Sequence, residues 1–380
     1  MRVLLVSGSY PPIPDGVGDY TEKVYLETQK QMGEKNVALV TRTPDADMGK
    51  RPGVHAIIRT WNLWGGVRTI AFARSWKPDV VHLQYPATGY GRSLSVAFLP
   101  LLARIVLPGV RIVLTIHEYS NRTLKGRARL LISMLASHGI IVVNELYKKD
   151  ITRHCPFLGK RIVYIPIGSN ILRHNISRED LRKRRSLLGW GEDDPVLAYF
   201  GLLRAEKGIE GLLDVFYGVK REFPHARLLV IGGAEDTLIE DDLKSRVVAL
   251  GLAQDVVVTG YLPAASVSEH LLLSDVCVLP FPDGVSAKRS SFITAIEHGL
   301  PVVTTNPACP IRDLKDGENV FLAPVGDTIA MVCHIKAMLD SPELRKTLSS
   351  NAAQFSRTFA WESIVAKSIE QYRKVCGHCS

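Results

Sequence analysis

Residues 276–305 constrain the fold of this 380-residue chain more than any other stretch. They read Val-Cys-Val-Leu-Pro-Phe, a polar run over 282–291, Phe-Ile-Thr-Ala-Ile-Glu-His-Gly, and then Leu-Pro-Val-Val-Thr-Thr. A short unbroken run of β-branched residues predicts a strand covered on both faces. A helix then opens, stops at a glycine and hands over to a second such strand. The loop and the helix start fall at the carboxyl end of the first strand, where open α/β sheets hold their ligands. Free N–H groups at a helix N-terminus favour an anion there. Lys288, Arg289 and the hydroxyls of Ser286, Ser290, Ser291 and Thr294 share the same segment. The group such a place suits best is a phosphate.

The same alternation runs through the chain. Strands are predicted over 2–7, 36–41, 55–58, 78–86, 111–118, 139–144 and 161–168, and again over 195–201, 227–233, 256–263 and 319–324. Helices are predicted over 19–32, 68–76, 91–107, 124–136, 145–155, 178–188, 268–274, 329–339 and 359–372, and after Gly208 with Leu212, Leu213, Val215 and Phe216 on its apolar side. The class is α/β, and the length suits two domains at roughly 150 residues each. A polar linker over 169–194 separates them. We place the boundaries at 1–168 and 169–358, with 359–380 a final amphipathic helix.

Several strands turn polar at their carboxyl ends: His82, Gln84 and Tyr85 on one, Thr115, His117 and Glu118 on another. Such ends point towards a shared crevice. His117 reads either as a ligand-facing imidazole or as a satisfied strand-end residue. The loop over 8–18 carries Gly16, Val17 and Gly18 ahead of a helix, either an anion site or a plain turn. It is no dinucleotide fingerprint, because G-x-G-x-x-G is missing and the loop is long and proline-rich. In the second half, Arg204 and Lys207 fall between a strand end and a helix start, where two cations can hold the charge of a leaving diphosphate. On their own they would read as solvated surface.

On these residues the chain resembles the retaining glycosyltransferases of family 4. The segment F-I-T-A-I-E-H-G-L-P-V-V-T-T at 292–305 looks like their donor-site segment, and G-L-L-R-A-E-K-G at 201–208 is similar to their G-R-x-x-x-x-K-G. The usual Arg position holds Leu202, and Arg204 stands two residues on. The family's E-x7-E glutamates fall at Ser286 and Thr294, neither acidic; Glu297, one turn beyond Thr294, is a candidate substitute. The resemblance implies a GT-B fold: two Rossmann-like domains facing across a cleft, with the C-terminal helix crossing back to the N-terminal domain. It implies transfer of a hexosyl-type unit from a nucleotide sugar to a hydroxyl, with retention, in polysaccharide or glycoconjugate biosynthesis. The acceptor would be a glycan, a lipid-linked or a small molecule. Arg204, Lys207 and His117 would be catalytic. Gly16, Val17, Gly18, Gly201, Gly232, Tyr261, Leu262, Ser286, Arg289, Ser290, Ser291, Thr294 and Glu297 would hold the donor. No cofactor is implied beyond the co-substrate, and no divalent metal where Lys and Arg neutralise the phosphates. Arg289, standing in a loop that usually carries a carboxylate, would favour an additional negative charge on phosphate or on an acidic sugar. The alternative is an idle relative that binds a nucleotide sugar or a partner as a scaffold.

Charge is divided unevenly. Residues 1–180 hold 25 Lys and Arg against 13 Asp and Glu, a balance of +12, whereas 181–380 hold 22 against 25, a balance of −3. A basic half implies an anionic partner. The apolar helices at 91–107, with Arg92 and Arg104, and at 124–136, with Lys125, Arg127 and Arg129, suit either an anionic leaflet or an ordinary core. A nucleic-acid partner is not expected, since no known motif or stacking platform accompanies the charge. The six cysteines are scattered, several in apolar runs, which suits reduced thiols in a cytoplasmic protein. No signal peptide or membrane-spanning run is visible, so the expected place is the cytoplasm, with peripheral contact on the inner membrane face as an option. The tail Cys376-Gly-His-Cys379 lacks the setting of a redox motif and the ligands of a zinc site.

Overall fold

The computed structural model describes residues 1–13, 15–44, 51–91, 93–120, 122–204, 207–234 and 237–377. Arg92, Ala205, Glu206, His378 and Cys379 lie outside the described residues. The chain divides into two compact units, Met1–Asn170 with Phe359–Ser380, and Ile171–Thr358.

The first unit runs β1 (Val3–Ser7), α1 (Gly16–Met32), β2 (Val37–Arg42), β3 (Val54–Ile58), α2 (Leu63–Trp76), β4 (Val80–Tyr85), α3 (Ser95–Val106), β5 (Arg111–Ile116), α4 (Leu124–Ala136), β6 (Gly139–Val142), α5 (Glu145–His154) and β7 (Ile162–Tyr164). Its seven strands are parallel in the order β3-β2-β1-β4-β5-β6-β7. The second unit runs α6 (Arg178–Leu187), β8 (Val196–Phe200), α7 (Ile209–Lys220), β9 (Arg227–Ile231), α8 (Thr237–Ala249), β10 (Val256–Val258), α9 (Ala264–Leu272), β11 (Val276–Leu279), α10 (Ser290–Glu297), β12 (Val302–Thr305), β13 (Phe321–Ala323), α11 (Thr328–Asp340) and α12 (Pro342–Ser356). Its six strands are also parallel, in the order β10-β9-β8-β11-β12-β13. The last helix, α13 (Trp361–Val375), packs in the first unit.

Helices cover both faces of the first sheet, which is why its strands are apolar throughout and not alternating. Leu4, Val6, Leu83 and Leu114 pack with Ile70, Leu99, Leu130 and Ile151 on one face, and Leu5, Leu39, Val113 and Ile141 with Val24, Ile364, Val365 and Ile369 on the other. Each such side chain contributes about 1.5–3 kcal/mol by leaving water. Polar contacts fix α13 as well: Trp361 Nε1 donates to the Ser169 carbonyl at 2.7 Å, and Gln31 Nε2 donates to the Glu362 carbonyl at 3.0 Å. Gly168 lies so close to the Trp361 ring that a Cβ there would come within 2.6 Å of it.

Several local features depart from the expected elements: β7 and β10 stop at Tyr164 and Val258, short of the expected 168 and 263, and α9 begins at Ala264 and not at 268. Helix α1 starts at Gly16, so Gly16, Val17 and Gly18 form its first turn and not a preceding loop, with Asp15 as N-cap accepting from Val17 N. Helices α8 and α12 are additional to those expected.

Candidate functional site

In each sheet the chain reverses its direction of travel once. The second unit goes from β8 outward to β9 and β10, then returns to β11 on the other side of β8 and continues outward. The gap between the carboxyl ends of β8 and β11 is therefore a topological switch point, where neighbouring loops part and a ligand fits. Gly201, Arg204 and Lys207 follow β8, and residues 280–291 follow β11.

Two close glycine contacts, and a third at ordinary packing distance, knit these loops together. A Cβ on Gly232, after β9, would lie 2.0 Å from the Gly201 carbonyl oxygen, and one on Gly208 would lie 1.8 Å from that of Pro280. Gly208 has φ +78°, a left-handed conformation that costs glycine nothing. A Cβ on Gly201 would stand 3.8 Å from Ser291 Cβ, which puts the end of β8 against the start of α10. Lys207 N donates to the Arg204 carbonyl at 2.9 Å, closing the turn that carries both cations, and Leu203 N donates to the Gly233 carbonyl at 3.1 Å. Gly233 backs on to the ring of Tyr261, which is 62% exposed after β10, with Leu262 half-buried beside it.

Helix α10 has no side-chain cap: Arg289 is its N-cap residue and makes no capping hydrogen bond. Its first N–H groups have no intrahelical acceptor, as at any helix start. Beside them, the hydroxyls of Ser286 and Ser291 are buried without a hydrogen-bond partner. A buried hydroxyl left unpaired costs about 1–3 kcal/mol, so this corner is built at a loss unless something fills it. Ser290 opens the helix and is exposed, and Thr294 is buried one turn on.

Arg289 departs from the expectation of a lone cation. Its guanidinium is buried, ion-paired with Asp283 and set over the Phe281 ring at 4.0 Å, so the loop carries a neutral pair. Glu297 ends α10, and seven residues of helical rise put it about 10 Å from Ser290. The structure does not bring it to the helix N-terminus. His298, the histidine before the Gly299 stop, is structural. Its Nδ1 bonds the Thr294 carbonyl at 2.8 Å and its Nε2 the Ser268 hydroxyl at 2.8 Å, and burial pushes its pKa down to about 4.

The first unit has its own switch point, between β1 and β4. Gly89 N donates to Ser9 Oγ at 3.0 Å, and Thr88 N donates to Asp15 Oδ2 at 3.2 Å. The loop after β4 is thereby tied to the loop before α1, and the start of α1 is fixed at the gap. At the end of β5, His117 N donates to the Tyr85 carbonyl at 3.1 Å, its Nε2 lies 2.9 Å from Gln84 Oε1, and its ring meets Tyr20 edge-on at 4.8 Å. Behind it, His82 is buried between Tyr372 Oη at 2.7 Å, Thr115 Oγ1 at 2.6 Å and Gln84 Nε2 at 3.2 Å. Burial pushes both imidazoles down to about 3, and at His82 the repulsion it would meet from a protonated His117 adds to the effect. Both rings are neutral near pH 7. Gln84, flagged in the sequence only as a polar strand end, links the two.

Comparisons with known proteins agree along the chain. Residues 181–355 match the family model of the glycosyl transferases group 1, and residues 23–171 that of Glycosyltransferase Family 4. A phosphatidyl-myo-inositol mannosyltransferase of Mycobacterium leprae is 25% identical over 333 residues, covering 85% of this chain and 78% of its own. A glycogen synthase of Mycobacterium tuberculosis is 23% identical over 420 residues, covering 98% and 94%. Among solved structures, the sucrose-phosphate synthase of Thermosynechococcus elongatus aligns over 100% of both chains at a TM-score of 0.72 and 18% identity. Anabaena Alr3699/HepE, solved in complex with UDP, aligns over 98% of this chain and 100% of its own at a TM-score of 0.76 and 15% identity. At these identities the structural likeness concerns the fold.

Proposed function

Because this chain belongs to the family 4-type glycosyltransferases of GT-B fold, we propose that it moves a hexosyl-type sugar from a nucleotide sugar to a hydroxyl acceptor, with retention of anomeric configuration. The observation that carries the donor assignment is the corner between β8 and β11, where an uncapped helix start and two buried, unpaired hydroxyls adjoin the loop bearing Arg204 and Lys207. That donor set suits a diphosphate: N–H groups and hydroxyls for its oxygens, two cations for its charge. The solved complexes of HepE with UDP and with UDP-glucose make a nucleotide sugar the natural class to test.

In the proposed step the C1–O bond to the diphosphate breaks while the acceptor hydroxyl bonds C1 on the same face. Its proton passes to the leaving phosphate oxygen. Arg204 and Lys207 hold the charge that grows on that phosphate, in the place of a divalent metal, and Ser290 and Ser291 with the start of α10 hold the remaining oxygens. Tyr261 and Leu262, with Gly232, border the base. His117 accepts a bond from a sugar hydroxyl through Nδ1, and Gly16 and Gly18 offer N–H groups to an anion, that of Val17 being taken by the Asp15 cap. Ser286 and Thr294 stand for the missing glutamates as neutral partners, which points to a donor gripped by hydroxyl-to-hydroxyl bonds.

A thermal-shift screen over UDP-, GDP- and ADP-sugars tests this, with wild type beside Lys207→Ala. A ligand at about 100 times its Kd stabilises by about 2.7 kcal/mol. One donor should raise the wild-type melting point and fail with Lys207→Ala, and that donor should release free nucleotide when an acceptor hydroxyl is supplied. Binding without release under any acceptor would leave a scaffold. No shift with any nucleotide sugar would sink the proposal.

A further inference from the structure

Helices α2, α3 and α4 lie side by side on one face of the first sheet, α3 in contact with both neighbours. Their inner sides are core. Their outer sides carry apolar side chains where a soluble surface would carry charge. On α3 and its N-cap, Leu94, Phe98, Leu101 and Ile105 are 52%, 46%, 40% and 70% exposed. Their spacing of four, three and four residues makes one stripe. Leu124 and Leu135, 84% and 46% exposed, sit eleven residues apart on α4 with half-buried Leu131 between them. Leu63, Trp64 and Val67, at 68%, 72% and 43%, form the first turns of α2. Surface apolar residues are ordinary when scattered; in adjoining rows on three packed helices they mark a binding surface.

The charges around these rows have one sign. The three helices contain Arg68, Arg74, Arg104, Lys125, Arg127 and Arg129 and no acidic residue, and between residues 48 and 117 the sole carboxylate is Asp79. We propose that this face is an interfacial membrane surface, in which the apolar rows enter the headgroup region of an anionic leaflet while Arg68, Arg104 and Lys125 meet its phosphates. A second copy of the chain is a poor occupant, since a face without carboxylates would meet itself with like charges. An anionic lipid surface supplies both missing complements at once: apolar depth for Trp64, Phe98 and Ile105, and negative charge at the rim. Among the described residues no helix is long and apolar enough to cross a membrane, so the contact lies on the leaflet. The inference is independent of the donor assigned above, and neither outcome of its test bears on that assignment.

Flotation of the full chain with phosphatidylcholine vesicles, with and without about one third phosphatidylglycerol, tests it. Wild type should float with the anionic vesicles, and added salt should weaken the binding. The triple variant Trp64→Ser, Phe98→Ser, Ile105→Ser changes exposed positions and should bind at least about tenfold more weakly at low salt. Arg68→Glu with Arg104→Glu should abolish the preference for anionic lipid. A reading that needs no variant core is quenching of Trp64 by brominated lipid in wild type, absent in Trp64→Phe. Failure of wild type to float at low salt, or equal flotation of wild type and triple variant, would overturn the proposal. So would a dimer in sedimentation that the triple variant dissolves, which would hand the face to a second copy.

Discussion

Gln84 Oε1 lies 2.9 Å from His117 Nε2, and a carbonyl oxygen can only accept. His117 therefore carries its proton on Nε2, and Nδ1 is left as an acceptor. The other end of the same amide, 3.2 Å from His82 Nε2, donates there, so His82 keeps its proton on Nδ1, towards Tyr372 Oη at 2.7 Å. One glutamine thus sets the tautomer of a buried ring and of a half-buried one.

Gln84 is on this geometry a positioning residue for His117, and two replacements separate that role from simple packing. Gln84→Leu keeps the volume and removes both bonds; kcat/KM should fall about tenfold, the worth of roughly one oriented hydrogen bond. Gln84→Glu puts a carboxylate against Nε2, favours the imidazolium and raises the His117 pKa. The acidic limb of the kcat/KM profile should move to higher pH in Gln84→Glu and stay in place in Gln84→Leu. Coincident profiles for wild type and Gln84→Glu would rule the coupling out.

Acid should unfold the protein earlier than its carboxylates alone require. His82 and His117 are held down to about 3 and His298 to about 4 by burial, against about 6.5 in the unfolded chain. A group with a lowered folded pKa stabilises fully above its unfolded value and loses that contribution as pH falls towards the folded value. Between about pH 6.5 and pH 4 each ring should therefore remove up to about 1.4 kcal/mol per pH unit. Melting temperature against pH should fall steadily over that window, and less steeply in His117→Asn, which has one fewer titrating ring. Parallel curves for the two proteins would contradict the assignment.

The sheets were legible because burial on both faces writes strands as unbroken runs such as those of β1, β5 and β11, which no solvent-facing element imitates. Helix α8 was not, because Leu243 and Val247 alone among its described side chains are buried along a charged helix, and the helical period is faint. Helix α12 did carry a signal, Ser341 before Pro342, an N-cap followed by proline at the first helical position. Gly16 and Gly18 read as loop since glycine disfavours helix; Asp15, held by Thr88 across the sheet, overrides that preference. In the site, Arg204, Lys207 and the serines were visible as residue types at strand and helix ends. The partners of Arg289 and His82 were not. Asp283 neutralises Arg289 from within a loop, and Tyr372 reaches His82 across 290 residues of sequence. Contacts that distant leave no spacing to read.

Glycine substitutions should sort sharply by geometry. Gly232→Ala would place a Cβ 2.0 Å from the Gly201 carbonyl at φ +137°, whereas Gly211, inside α7, has nothing within 4 Å of its added carbon. Gly232→Ala should lower stability by more than about 2 kcal/mol and, by prising the ends of β8 and β9 apart, abolish nucleotide binding. Gly211→Ala should stabilise by about 0.5–1 kcal/mol, since alanine is the better helix former and no contact is disturbed. Denaturant midpoints of the two variants check both signs.

Ser291→Ala should separate a ligand-holding hydroxyl from a structural one by giving opposite signs in two measurements. The Ser291 hydroxyl is buried and unpaired in the protein alone, as is that of Ser286. A structural hydroxyl would be bonded already, and its removal would destabilise. Here the alanine removes an unmet desolvation cost of about 1–3 kcal/mol and gives up no protein bond. The ligand-free variant should therefore melt at or above the wild-type temperature. With the stabilising nucleotide sugar present the order should reverse, because the variant forgoes a bond to the diphosphate and binds about tenfold more weakly. Ser286→Ala should behave the same way, and the double variant should widen both differences. If instead the ligand-free variants melt lower than wild type and bind the nucleotide equally well, these hydroxyls belong to the packing of α10, and the corner between β8 and β11 loses its claim to the donor.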